Sequence, residues 1–484
     1  MLARAPVKGY FFIMLNVEGG HFRHCDGVSR RSFLKVGALG IGGLGLADVL
    51  RAETNAGIGS SRRAIIHIHL DGGPPQMDMI DPKPDSPVEY RGDIKPISTS
   101  IPGLHLSELM PKVAKSAHRF AFLRSLVGAD GQHNAFQCQS GYKGSDPAPA
   151  GGWPAMGCVV GRLLENKTKG NTPAFVDLMQ GRGLVRNSAR PGFLGPAASP
   201  FRPDISSMFK RELEEGMKGE LARLRAGHTT SLRMSEGLTV GRLDDRLSLL
   251  KGLDRTRRAI DAAGMMGAFD SFTSQAYGIL TSGAVAEAMD LSREDPKTLA
   301  RYVPPMKESK LAFFTSEGPQ AAKKLLLARR LIEAGARVVN VSISDFDTHS
   351  KNFSRMKQLV PIFDHAIAAL VDDLSERGML DEVTVLAWGE FGRTPKVNKN
   401  AGRDHWPKVA MGMMAGGGLN VGQVIGATDR YASEAIDRPV HYQDVIATLY
   451  HGLGINPQTT TVADSNGRPH YLLKHGRAIR ELTG

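Results

Sequence analysis

Apolar runs of strand length recur along the chain, with helical periodicity between them. Ala64 to Leu70 (AIIHIHL) is rich in β-branched residues and closes on Asp71-Gly72-Gly73, the pattern of a strand followed by a turn. His67 and His69 alternate inside that run, which places them as packed or hydrogen-bonded strand residues. Phe120 to Leu123 reads as a second short strand running into a loop, and Ala174 to Leu178 as a third. Residues 205–335 change character. Segments such as RELEEGMKGELARLRAG and PQAAKKLLLARRLIEAGA carry Leu, Arg, Glu, Lys and Ala at helical spacing, which predicts a mostly helical insertion. Strands resume at Ala336 to Ser344, Val383 to Ala387 and Val409 to Met414, with a helix over Ser354 to Arg377. Such alternation predicts an α/β fold with a central, mostly parallel sheet and helices on both faces.

The amino-terminal pattern is different. Residues 29–35, Ser-Arg-Arg-Ser-Phe-Leu-Lys, match the twin-arginine export pattern S-R-R-x-F-L-K at every fixed position. Val36 to Leu50 follows, rich in Gly, Ala, Leu and Ile and broken only by Asp48. It is too short and glycine-rich for a membrane span, which needs about 20 apolar residues. Residues 1–56 are therefore expected to be signal and leader, cleaved near Ala52 or Ala56, and residues 57–484 a single α/β domain. This predicts a chain carried folded by the twin-arginine translocase to the periplasm or the exterior, and not an integral membrane protein. Folded export suits proteins that load a metal beforehand, which directs attention to metal ligands.

Composition narrows the function classes. Part of the net charge of +12 belongs to the leader, and the rest is spread without a basic block interleaved with aromatics, so no nucleic-acid partner is expected. The cysteines are Cys25, Cys138 and Cys158, too few for iron–sulfur chemistry, which takes about four thiolates. Cys138 and Cys158 are expected as buried thiols. No G-x-G-x-x-G follows a strand, and Gly416-Gly417-Gly418 reads as a turn, so a nucleotide-cofactor oxidoreductase is disfavoured.

Carboxylates and imidazoles gather just after the predicted strands, where loops converge in open α/β sheets. Asp71 follows the first strand, and Asp345, Asp347 and His349 (DFDTH) follow the strand at 336–344. Glu390 lies in GEFGRTP, Asp404 and His405 in GRDHW, and His133 in the loop after the second strand. Mixed carboxylate and imidazole donors suit Zn, Mn or Fe, and an oxygen-rich subset suits Mg or Ca. Asp364, His365, Asp372 and Asp373 look similar but fall on a helix and read as its solvated face.

These motifs resemble one family. IHLDGGPPQMDMIDPKP, RSL with His133 and SGY, DFDTHS, RGMLDEVTVLAWGEFGRTP, GRDHWP, GATD and GRP together resemble the DUF1501 family of secreted proteins, over residues 64–484. That family is placed in the alkaline phosphatase/sulfatase superfamily, so the resemblance implies an alkaline phosphatase-like fold. It implies a metal-dependent hydrolase of sulfate or phosphate esters, acting on a small anionic ester or a sulfated or phosphorylated glycan. Asp71, Asp347, His349, Glu390, Asp404 and His405 are the expected metal ligands. His133 is expected as a ligand, general acid/base or unusual nucleophile, and Arg393 and Arg403 as clamps on the anionic oxygens. Two departures stand out. Phe391 replaces the imidazole that follows the acid in the superfamily pattern, and no Ser, Thr or Cys stands at the nucleophile position near Gly131. The alternative reading is a non-catalytic secreted or surface-associated binding protein that keeps the fold and a metal.

Overall fold

The computed structural model describes residues 63–164, 172–179, 187–205, 283–306 and 317–484, with a few isolated positions from 208 to 279. The twin-arginine motif and leader lie outside the described residues, as does most of the expected insertion between 206 and 282.

Among the described residues, eight strands form the central sheet: β1 (Ala64–Leu70), β2 (Phe120–Val127), β3 (Phe175–Asp177), β4 (Val338–Ile343), β5 (Val383–Trp388), β6 (Ala410–Gly416), β7 (Gln423–Ile425) and β8 (Val440–His441). Their order is β7-β2-β6-β5-β1-β4-β3, with β8 also paired to β2. β1 runs parallel to β4 on one side and β5 on the other. Among the described strands of this sheet only β6 is reversed, antiparallel to both β2 and β5. The amino end of β6 therefore lies at the edge where β1, β2, β4 and β5 end.

Helices packed on the sheet include α1 (Pro111–Lys115), α2 (Phe136–Ser140), α3 (Met156–Leu163), α4 (Lys323–Glu333), α5 (Asn352–Glu376) and α6 (Tyr442–Gly452). β1, β4 and β5 are buried at every position, as parallel strands covered on both faces must be. Strand alternation sends Ile66, Ile68 and Leu70 into one core with Leu326 of α4 and Phe363 of α5. Ile65, Leu386 and Trp388 enter the opposite core with Val159 of α3 and Ile446 of α6. The expected α/β architecture is the one observed. β2 outruns its expected end at Leu123 because β6 pairs it as far as Leu126 and β8 as far as Val127. Cys138 and Cys158 are buried free thiols.

The polar residues of α5 correct one expectation. Asp364, His365 and Asp373 are buried, not solvated. The Asp364 carboxylate accepts from the backbone N–H groups of Lys112 (3.0 Å) and Val113 (2.8 Å) at the start of α1. Asp373 accepts from Arg329 Nε (3.0 Å), Arg377 Nε (2.8 Å) and the Tyr302 hydroxyl (2.9 Å). Glu294 receives Arg329 Nη2 at 2.6 Å, so a buried cation ties α4 to α5 and to residues before α4. Buried charges persist only when paired in this way. Helical spacing alone could not show that this face of α5 is roofed by other elements.

Candidate metal centre

The candidate site lies at the sheet edge formed by the ends of β1, β2, β4 and β5 and the approach to β6. Asp71 follows β1 directly. At Gly72, φ is +107°, and a Cβ there would collide with the backbone nitrogen of Asp347, so a glycine is required for the two loops to approach. Asp345 follows β4 with φ 93°, a conformation that side-chain-bearing residues avoid. Arg355 of α5 holds it there: its guanidinium pairs with the Asp345 carboxylate and donates to the Asp347 carbonyl at 3.0 Å.

Asp347, His349 and His405 aim three atoms at one point. His349 Nε2 is 3.1 Å and His405 Nε2 3.4 Å from Asp347 Oδ1, and the two Nε2 atoms are 3.2 Å apart. The other ring nitrogens are committed. His349 Nδ1 lies 2.6 Å from Asp404 Oδ1, and His405 Nδ1 lies 3.1 Å from the Gly131 carbonyl. Both oxygens only accept, so each Nδ1 carries a hydrogen, and the tautomer this fixes is the one in which Nε2 can ligate a cation. With a cation among them, both Nε2 lone pairs and the carboxylate oxygen would have a common partner. Donors ~2.1 Å from a tetrahedral ion lie ~3.4 Å apart, so the triangle has the size of one face of such a shell. The side chain of His349 is 50% exposed, which leaves the outer side of the triangle open to solvent.

His133 bridges inward. Its Nε2 lies 3.1 Å from Asp347 Oδ2 and its Nδ1 3.1 Å from Glu390 Oε1. Burial opposes its charged form, but hydrogen bonds and charge from Asp347 and Glu390 outweigh burial and raise its pKa to about 9. Burial likewise opposes ionisation of Asp347, yet His133, His405 and Arg393 hold its carboxyl far below the usual range. Deeper still, donor atoms of His69, Asp71 and Glu390 all lie within 4.8 Å of one another, and the three residues are buried. His69 Nε2 stands 3.4 Å from Glu390 Oε2. Burial pushes the His69 pKa down despite the Glu390 charge, so its ring is neutral at pH 7.

A family model described as "Protein of unknown function (DUF1501)" matches residues 62–483. The chain belongs to the DUF1501 family. No curated protein matches it. Among solved structures, this DUF1501 protein is similar to Ps i-CgsB, with TM-score 0.37 and 9% identity over 81% of this chain and 72% of that one. It is also similar to the PsFucS1 sulfatase from Pseudoalteromonas sp., with TM-score 0.33 and 12% identity over 86% and 72% of the two chains. A third is BT1596, a 2-O GAG sulfatase, with TM-score 0.33 and 8% identity over 86% and 73%.

The residues singled out in the sequence of this DUF1501 protein fall into distinct places. Asp71, Asp347, His349, Glu390, His405 and His133 supply donors to the two groups. Asp404 stands behind His349 and fixes its tautomer. Arg393 is fully buried, with Nη2 2.6 Å from Asp347 Oδ1, Nε on the Gly73 carbonyl and Nη1 on the Arg403 carbonyl, so it positions Asp347. Arg403 stands apart. It forks onto Asp78 at 2.8 and 3.0 Å and gives its remaining N–H groups to the carbonyls of Thr394, Pro395 and Tyr90. All five guanidinium donors are thereby used, and none remains for a substrate anion. The Phe391 ring packs on His405 at 4.2 Å and on His133 at 5.3 Å between centroids. His69 is the site residue that sequence reasoning placed elsewhere. Its signal was parity, because residues 67, 69 and 71 share one face of β1 and Asp71 ends that series at the site.

Proposed function

We propose that this protein is an exported metal-dependent hydrolase of sulfate or phosphate esters, acting on a small anionic ester or a sulfated or phosphorylated glycan. The observation that carries the reading is the Asp347–His349–His405 triangle, whose inward lone pairs fit a divalent cation and whose outer side is open. Structural metal sites are closed by protein ligands, whereas catalytic ones keep a position for substrate. Nitrogen and oxygen donors together favour zinc or manganese over calcium or magnesium. When bound, the ion supplies Lewis-acid polarisation of the ester oxygen.

The chain's own residues do the rest. Arg393 anchors the Asp347 carboxylate, while Asp404 and the Gly131 carbonyl hold the two imidazoles in the ligating tautomer. His133, held between the Asp347 and Glu390 carboxylates, is placed for proton transfer as a general acid/base. Ser125 Oγ donates to the Arg438 carbonyl, Ser140 Oγ to the Phe136 carbonyl and Thr348 Oγ1 to Asn352. Attack by water is therefore favoured over attack by any of these three hydroxyls.

The test is elemental analysis of the protein purified after native export, with turnover measured on aryl sulfate and aryl phosphate panels. We expect tightly bound divalent metal and metal-dependent turnover on one ester class, with the metal content lowered and the turnover lost in His405→Ala. Metal that is bound without turnover would favour the binding-protein alternative. Unchanged metal content in His405→Ala would defeat the assignment. Export by the twin-arginine route rests on residues 29–35. Replacing Arg30 and Arg31 by Lys should leave the protein in the cytoplasmic fraction. Undiminished appearance in the periplasm or medium would refute that route.

A further inference from the structure

We infer that His69, Asp71 and Glu390 form a second, buried cation site, distinct from the Asp347–His349–His405 triangle, with His69 as its nitrogen ligand. His67 supplies the internal comparison. It lies on the same strand and face, and its ring is fully satisfied: Trp388 Nε1 donates to its Nε2 at 2.7 Å, and Asn340 and Gln139 meet its Nδ1 at 3.2 Å. That is how a packed core histidine looks. His69, equally buried, has no hydrogen-bond partner at either ring nitrogen among the described residues, and Glu390 Oε2 has none either. Buried polar atoms are nearly always satisfied, and orphaned ones that face each other mark a missing partner.

The missing partner is a cation by size and by charge. The 3.4 Å gap between His69 Nε2 and Glu390 Oε2 is too long for a good hydrogen bond and matches the ~3.4 Å edge between donors of a tetrahedral ion. Glu390 divides its carboxylate: Oε1 accepts from Gly72 N–H at 2.9 Å and meets His133, which leaves Oε2 turned toward His69. Asp71 completes the set with a second carboxylate. One imidazole and two carboxylates suit zinc or manganese. β1 builds this arrangement by alternation, since a strand that presents Asp71 at the site must also present residue 69 to the same side.

The inference shares the metal-dependent reading of the preceding section, and ion counting separates the two. Chelator-stripped wild type, His69→Leu, His69→Gln and His405→Ala are each dialysed against zinc chloride, and bound zinc is measured by mass spectrometry. We expect two equivalents in wild type and one in each variant. X-ray absorption of the zinc remaining in His405→Ala should show fewer imidazole neighbours than that remaining in His69→Leu. Thermal unfolding in chelator adds a readout that needs no ion. As a ligand, His69 stabilises only the loaded protein, so stripped His69→Leu should melt no lower than stripped wild type while its zinc-induced shift is reduced. Two equivalents retained in both His69 variants would overturn the inference and leave the triangle standing. A single equivalent in wild type, kept by the His69 variants and lost in His405→Ala, would do the same. No zinc in wild type would overturn this inference and the hydrolase reading together.

Discussion

Asp347→Asn should remove the ion from the open triangle and lower kcat/KM at least about a thousandfold, ~4 kcal/mol of transition-state stabilisation. Asp347 joins four other side chains of the site. Its Oδ1 meets Arg393 Nη2 at 2.6 Å, His349 Nε2 at 3.1 Å and His405 Nε2 at 3.4 Å, and its Oδ2 meets His133 Nε2 at 3.1 Å. The amide keeps the shape but removes the negative charge that holds a cation against two neutral imidazoles. A second cost falls on the metal-free protein. Arg393 is fully buried and would keep only carbonyl partners, and breaking a buried pair from one side costs about 3–5 kcal/mol. The double variant Asp347→Asn/Arg393→Met separates the two effects. It should recover much of the lost stability in chelator, measured by denaturant unfolding, yet regain neither ion nor turnover. If Asp347→Asn alone keeps its metal and loses less than tenfold in turnover, Asp347 is not the central ligand.

How far the sequence disclosed this site depended on where each residue sits relative to a strand end. Asp71, Asp347 and Glu390 were legible because each follows an apolar strand, and parallel strands deliver such residues to one edge. His405 was legible from GRDHW, although its reach into the site depends on the reversal of β6, which no periodicity records. Arg393 and Arg403 looked alike in sequence, flanking the same motifs. Burial separates them: one guanidinium touches Asp347 and the other is saturated by Asp78 and three carbonyls. His69 was hidden inside a run whose every position is buried, where a histidine reads as packing. The polar residues of α5 failed for a related reason. An amphipathic pattern shows which residues share a face, but not whether charged segments such as Glu294 and Arg329 close over that face. In each failure the deciding contact is between residues far apart in sequence.

Metal affinity should rise with pH between about 6.5 and 9, by about tenfold per unit for each proton displaced, and level off above that range. In the metal-free arrangement His133 holds its proton between Asp347 and Glu390, with a pKa raised from 6.5 to about 9. A group whose folded pKa is raised adds stability that is fully present below its unfolded value and is lost as pH rises through the folded value. The metal-free protein should therefore lose this contribution across that window. An ion on Asp347 is repelled by a protonated His133 3.1 Å from the same carboxylate, so uptake expels the proton and becomes easier as pH rises. The two states thus follow opposite trends: the stripped protein weakens toward pH 9 while the stabilisation brought by metal grows. Titration with a competing chelator at several pH values measures the slope, and calorimetry in buffers of different ionisation heat counts the protons released. His133→Gln should flatten the metal-affinity slope by the one proton that this ring contributes. An affinity independent of pH in the wild type, with no proton released, would mean that His133 is already neutral and that the two carboxylates are balanced by another cation.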